Sequence, residues 1–197
     1  MATAYLCFGS NLGDRLKNFS RAEEFLVELG IKFVKWSSIY KTEPISLKEG
    51  ECQPWFLNAV AEILTDHSPL SLLLLCKDAE KRLGRYKDST IIENGKRRYF
   101  PRTIDIDLLF YEDSVIDSPS LEVPHPRFHA RKFVLMPFKE IAPDLVHPVS
   151  KKTIAELLQG CKDSAKVHLS SPLSENWHEH GGLSKRNTKN YSSCKSR

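Results

Sequence analysis

The chain has 197 residues, 41% hydrophobic and 27% charged, which suits one domain with a full core plus some excess. Its longest plain apolar run, Leu72 to Cys76, falls far short of the ~20 residues that cross a bilayer. The formal charge of +4 belongs to the tail: residues 161–197 hold 7 Lys/Arg and 3 Asp/Glu, residues 1–160 hold 22 of each, so the pI does not argue for a nucleic-acid partner.

The amino terminus, MATAYLCFGSNLGDR, lacks a basic segment, and its apolar stretch breaks at Gly9, against a secretory signal. Ala4 to Phe8 reads as a strand entering a tight turn at GSN. Asp14 can cap a helix to about Leu29, with Leu16, Phe19, Ala22 and Leu26 at helical spacing and Gly30 placed to end it. IKFVKWSSIYKT is rich in β-branched and aromatic residues and predicts a strand that stops at Pro44. After a polar loop, WFLNAVAEIL predicts a second long strand. Ser68-Pro69-Leu70 opens a helix with Leu72, Leu73, Cys76, Ala79 and Leu83 on its apolar face and Gly84 at its end. Residues 85–101 have little periodicity and read as a long, functional or mobile loop.

RTIDIDLLF, residues 102–110, then reads as a strand, with Ile104, Ile106, Leu108 and Phe110 on one face and Thr103, Asp105 and Asp107 on the other. Beyond Tyr111, spaced prolines suggest short pieces wrapping over the domain, with a last short helix near Thr153 to Leu158. From Cys161 the composition turns to Ser, Lys, Asn and His, which predicts disorder. The expected organisation is therefore a domain over 1–160 and a basic tail over 161–197. The order strand, helix, strand, strand, helix, strand is that of a ferredoxin-like βαββαβ core. It is an α+β fold, an antiparallel sheet with helices on one face, here with C-terminal additions. Five cysteines without a C-x-x-C pair argue against a disulfide framework or zinc knuckle and for a reducing, cytoplasmic setting.

Asp105 and Asp107 lie roughly 7 Å apart on one strand face and repel unless protonated, hydrogen-bonded or matched by cations. Arginines from GKRRYFPR can make them an ion-pair cluster. Alternatively they hold Mg²⁺, which takes one or two carboxylates and keeps its other positions for water and phosphates. Arg85, Lys87, Lys96, Arg97, Arg98 and Arg102 gather around the same strand and suit a polyphosphate, although Arg97 and Arg98 equally fit a solvated surface. No G-x-x-x-x-G-K-[ST] loop is present, so GSNLGDR reads better as turn and cap than as phosphate cradle. His125, between two prolines, can donate a hydrogen bond near phosphates. Phe56 and Phe133, if exposed on the open face, can sandwich a flat heterocycle whose edge Asn58 reads.

YLCFGSNLGDR, SSIYKTEP, QPWFLN, EKRLGR, PRTIDIDLLFY and VPHPRFHARKFVLMPFKEIAP occur in that order. Together they resemble the 6-hydroxymethyl-7,8-dihydropterin pyrophosphokinase family over roughly residues 4–158. The resemblance implies transfer of pyrophosphate from ATP to the pterin hydroxymethyl group, releasing AMP, with two Mg²⁺ ions. It implies Asp105 and Asp107 as metal ligands, and Arg85 and Arg102 as the catalytic arginines that also bind ATP. Glu80, His125 and Arg131 match the ATP site, and Thr42, Pro44, Phe56, Asn58 and Phe133 the pterin pocket. The chain departs from the family's frequent Trp-Gly before Pro-Arg by carrying Tyr99 and Phe100, and its 86–101 loop is longer than in compact members. No dihydropteroate synthase or aldolase segment is recognisable, so a monofunctional monomer with small-molecule substrates and no nucleic-acid or membrane partner is expected. Two rivals are a binding module of the RNA-recognition type, which shares the strand order, and an inactive family member; a further one, a nucleotidyltransferase with Gly-Ser plus D-x-D, needs the two elements close in sequence, whereas Ser10 and Asp105 lie far apart. The first lacks the aromatic signature on its third strand and would set Asp105 and Asp107 against RNA phosphates. The second is hard to reconcile with intact Asp105, Asp107, Arg85 and Arg102.

Overall fold

The computed structural model describes residues 1–44, 51–85, 90–93 and 96–171, with the backbone alone at 90–93, 96–98 and 171. The chain runs β1 (Ala2–Ser10), α1 (Arg15–Glu28), β2 (Lys32–Trp36), β3 (Ile39–Thr42), β4 (Phe56–Thr65) and α2 (Pro69–Arg82). Both long helices begin on side-chain caps: Asp14 accepts from the Lys17 N–H and Ser68 from the Ser71 N–H. Each stops just before a glycine at positive φ, Gly30 and Gly84. The single strand expected before Pro44 is two strands, parted at Ser37 and Ser38. Ser37 joins the break to β4, because its N–H donates to the Val60 carbonyl while its Oγ accepts from the Val60 N–H.

The segment expected as an aperiodic loop contains a hairpin, β5 (Thr90–Glu93) and β6 (Lys96–Tyr99), and leads into β7 (Asp105–Tyr111). A small hairpin follows, β8 (Ile116–Asp117) and β9 (Glu122–Val123), then α3 (Lys132–Ile141), α4 (Ile154–Gln159) and β10 (Val167–Ser171). The main sheet is antiparallel in the order β10-β3-β4-β1-β7, with β2 also paired to β4. With β2 and β3 together as the second strand, this is the ferredoxin-like frame. Ala4, Leu6 and Phe8 of β1 and Ile106 and Leu108 of β7 pack on α1 and α2 with Phe19, Leu26 and Leu72. Phe8 sits at the centre, its ring 4.7 Å from Trp36 and 5.9 Å from Phe19.

The opposite face is open over only part of its length. Val134, Leu135, Phe138 and Ile141 of α3 cover Cys7, Val60, Leu109 and Phe110. Phe110 therefore lies on this side and not, as alternation predicts, beside Ile106 and Leu108. The register shows why: Leu6 pairs with Leu108 and Tyr5 with Phe110, so Leu109 is an extra residue that turns the strand over. The second correction concerns the tail. Val167 to Ser171 pairs with β3 at the edge of the sheet, so ordered structure reaches into the 161–197 segment expected to be disordered; residues 172–197 lie outside the described residues. Cys7, Cys76 and Cys161 are free thiols, whereas Cys52 is disulfide-bonded, contrary to the expectation of unpaired cysteines. No helix among the described residues is long and apolar enough to cross a membrane.

Glu23 is 5% exposed on α1, and its Oε1 accepts from the Trp36 indole N–H at 3.0 Å. Burial pushes its carboxyl up to about 7, with the hydrogen bond from Trp36 opposing and the charge of Glu24 adding. A raised folded-state value means that its favourable contribution is complete at pH below the unfolded value and is lost as pH rises through about 7. Glu23→Gln is accordingly expected to unfold like the parent near pH 4 but to be more stable at pH 8.5, by on the order of 2 kcal/mol. Urea denaturation at the two pH values measures the difference; an equal effect at both would contradict the assignment.

Candidate active site

Pairing across β4, β1 and β7 lines up Asn58, Gly9 and Asp105 in one row and Val60, Cys7 and Asp107 in the next. α3 does not pack on the first row, which instead lines a pocket beside the start of that helix. Gly9 is needed here: a Cβ at this position would lie 2.9 Å from Asn58 Oδ1. Glycine leaves room for the Asn58 amide oxygen over β1, while on the other side Asn58 Nδ2 donates to Thr42 Oγ1 of β3 at 2.7 Å. Thr42, Phe56, Asn58, Arg102, Asp105, Asp107, Arg131 and Phe133 line one pocket, of about 600 Å³ counting its open mouth. Eight of the residues expected from sequence thus converge. Pro44 does not line the pocket; it follows the end of β3 two residues beyond Thr42.

Arg102 is 8% exposed and is set in place by the turn after β1. Its N–H donates to Asn11 Oδ1 at 2.7 Å, and its carbonyl accepts from the Asn11 and Leu12 N–H groups. The Asn18 amide and the Ser10 hydroxyl donate to the next carbonyl, that of Thr103. GSNLGDR is therefore a turn and a cap, as expected, and also a clasp on the residue that reaches the carboxylates. That second use was not legible, because it joins residues about ninety apart.

Asp105 is held by two guanidinium groups. Arg102 Nη1 donates to its Oδ2 and Arg85 Nη1 to its Oδ1, each at 2.5 Å. Arg85 Nη1 also donates to Glu80 Oε1 at 2.5 Å, and the same Glu80 oxygen accepts from the Ile106 N–H at 2.7 Å. The ion-pair alternative thus describes Asp105 but not Asp107, whose carboxylate makes no hydrogen bond or ion pair among the described residues. The electrostatics follow. Burial works against charge on Asp105, but Arg102 and Arg85 hold it below the usual carboxylate range. Burial, then the neighbouring Asp105 charge, push Asp107 up to about 6. Glu80 is pushed up to about 8 by burial and by Asp105, against the pull of Arg85.

Tyr99, at the end of β6, closes one side of the pocket. Its hydroxyl accepts from Arg127 Nη1 and Arg131 Nη2, each at 3.1 Å, and its ring lies under the guanidinium groups of Arg102 and Arg131 at 5.7 and 6.0 Å. Arg131 also lies over Phe133, 5.6 Å from the ring centre. Glu43 and Gln53 line the same pocket and were not singled out from sequence. A second cavity lies on the other side of Asp107, lined by Leu73, Leu108, Ser118, Glu122 and His125. His125 Nδ1 accepts from the Arg127 N–H at 3.2 Å. Burial, with Arg131 and Arg127 nearby, pushes the ring down to about 4, so it is neutral at pH 7 and presents Nε2–H as a donor.

Residues 5–143 match the 7,8-dihydro-6-hydroxymethylpterin-pyrophosphokinase (HPPK) family. The chain belongs to this family. Folic acid synthesis protein fol1 of Schizosaccharomyces pombe is 41% identical over 156 residues, 79% of this chain but 20% of that protein. The chain likewise spans a fifth of the length of its Pneumocystis carinii relative. A 2-amino-4-hydroxy-6-hydroxymethyldihydropteridine pyrophosphokinase of Methylorubrum extorquens is 40% identical over 159 residues, 80% of this chain and 92% of that protein. The fold matches a solved HPPK-DHPS in complex with substrates with a TM-score of 0.60 at 14% identity, covering 81% of this chain and 45% of that one. Family membership removes the RNA-recognition reading.

Gly9→Ala is expected to displace the Asn58 amide from Thr42 and to cost about 1–3 kcal/mol by overpacking. The side-chain amide resonances of Asn58 report this directly. Wild-type shifts in the variant would contradict the role given to Gly9.

Proposed function

We propose that the chain transfers the pyrophosphoryl group of ATP to the hydroxymethyl group of 6-hydroxymethyl-7,8-dihydropterin, releasing AMP, as a step of folate biosynthesis in the cytoplasm. Family membership and the bacterial relatives of similar length support the reaction. The observation that carries the placement of substrates is Asp107: its open carboxylate lines both cavities, one aromatic with an amide at its base, the other flanked by a neutral histidine. The first suits the flat pterin, stacked between Phe56 and Phe133, with Asn58 and Thr42 reading its edge. The second suits the nucleotide, with His125 donating to it and Arg131 between the two. Glu80 belongs to this reading by holding Arg85 in place.

The residues fit divalent cations, and we assign Asp105 and Asp107 to hold two Mg²⁺. The carboxylates are hard oxygen ligands, Asp107 is uncommitted, and two carboxylates leave positions for water and phosphate oxygens. When bound, the ions offset phosphate charge and make the pterin hydroxyl easier to deprotonate. The chain's own groups do the rest. Stacking and the Asn58 amide aim the hydroxyl at the β-phosphorus, so that a new O–P bond forms as the bond from that phosphorus to the α,β-bridging oxygen breaks. AMP carries away the bridging oxygen, and the hydroxyl proton passes to solvent. Arg85 and Arg102 would stabilise charge on the transferring group.

Incubation with ATP, Mg²⁺ and hydroxymethyl-dihydropterin is expected to yield AMP and the pterin diphosphate. ADP as product would replace this reading by simple phosphoryl transfer. Asp107→Ala is expected to lower AMP formation by at least about 100-fold while leaving the thermal midpoint near that of the parent, since no described bond is lost. Phe133→Ala is expected to raise the pterin KM roughly ten-fold. Turnover retained by the first variant, or an unchanged pterin KM in the second, would refute the assigned roles.

A further inference from the structure

Three walls of the first pocket are fastened by one stretch of chain that lies outside the family match at 5–143. Asp163 Oδ2 accepts from the Lys132 N–H at 2.9 Å, so it caps α3 between Arg131 and Phe133, while its Oδ1 accepts from the Ala165 N–H. No side chain of α3's own N-cap residue does this. Lys166 is joined twice to Glu43: its N–H donates to Glu43 Oε1 at 2.8 Å, and its carbonyl accepts from the Glu43 N–H at 3.2 Å. Val167 pairs with Thr42. On the opposite side of the sheet, the exposed His168 ring stacks on Trp55, 5.7 Å between centroids and 19° between planes. Lys41 Nζ lies 5.4 Å from the centre of the same indole. Trp55 is the residue before Phe56, and its carbonyl is anchored from α1 by Arg15 Nη1 at 2.7 Å.

We infer that Asp163 to His168 is a positioning strap for the pterin pocket, holding the ends of α3, β3 and β4 at the spacing that a flat ring between Phe56 and Phe133 requires. The inference rests on the placement of the pterin proposed above. None of Lys166, Val167 or His168 touches the substrate site; they act through Glu43, Thr42 and Trp55. The free-energy cost of loosening Lys166 to His168 falls on pterin binding, because the nucleotide cavity is built from other elements and Arg131, between the two cavities, adjoins the Asp163 end that neither substitution below touches.

Two substitutions in the full chain separate the strap from a general stabiliser. His168→Ala removes an exposed ring and its stack, and Lys166→Pro removes the donor to Glu43 while Lys166→Ala keeps it. Each damaging change is expected to raise the pterin KM about three- to ten-fold, with kcat and the ATP KM held within about two-fold. His168→Phe, which restores a flat ring, and Lys166→Ala are expected to return the parent value. Wild-type pterin KM in both His168→Ala and Lys166→Pro, or a fall in kcat with KM unmoved, would overturn the strap. If the parent chain turned over ATP but not the pterin, the reading of the pocket would fail and the strap with it.

Discussion

Two like charges on adjacent inward positions of one strand are the constraint around which this molecule is built. Asp105 and Asp107 cannot both be ionised in a half-closed cleft without help, and the help is divided unequally. Asp105 is answered from within the chain by Arg85 and Arg102. Asp107 is not, and burial, then the charge of Asp105, raises its proton affinity. Arg85 is also paired with Glu80, while the turn at Asn11 fixes the backbone of Arg102 rather than its guanidinium.

The fold serves this arrangement by leaving part of one sheet face bare. α1 and α2 bury the face that carries Phe8, Ile106 and Leu108, and this is the hydrophobic core proper. On the reverse face, α3 covers Cys7, Val60 and Phe110 and does not pack on Gly9, Asn58 and Asp105. The border between covered and bare sheet is where the apolar and charged walls of the pocket meet. Arg131 and Phe133 stand at that border because they flank the first residue of α3.

Much of this was legible in the sequence because it is local. Asp14, Ser68, Gly30 and Gly84 mark helix ends through backbone chemistry alone, and period-two alternation places Asp105 and Asp107 on one face. The misses share a cause in non-local structure or in punctuation that overrode a correct pattern. The extra residue Leu109 moved Phe110 across the sheet, which no alternation count can show. Pro137 sits inside α3 and reads as a break, yet Val134, Leu135, Phe138 and Ile141 keep helical spacing and bury enough surface to hold the helix. Asn94-Gly95, between β5 and β6, was a hairpin signal in a segment read as loop. β10 is short and polar, and only its pairing with β3 reveals it as a strand. Among site residues, Phe56, Asn58 and Phe133 were singled out by side-chain chemistry and Thr42 through resemblance, whereas Tyr99's bonds to Arg127 and Arg131 needed three dimensions.

The unequal treatment of the two carboxylates is the central claim, and cation binding tests it most directly. Mn²⁺ titration followed by electron paramagnetic resonance, with a non-hydrolysable ATP analogue present, compares the parent chain with Asp107→Ala. Loss of tight Mn²⁺ sites in the variant, with nucleotide still bound weakly, is what the account predicts. Undiminished Mn²⁺ binding would place the cations elsewhere and contradict it.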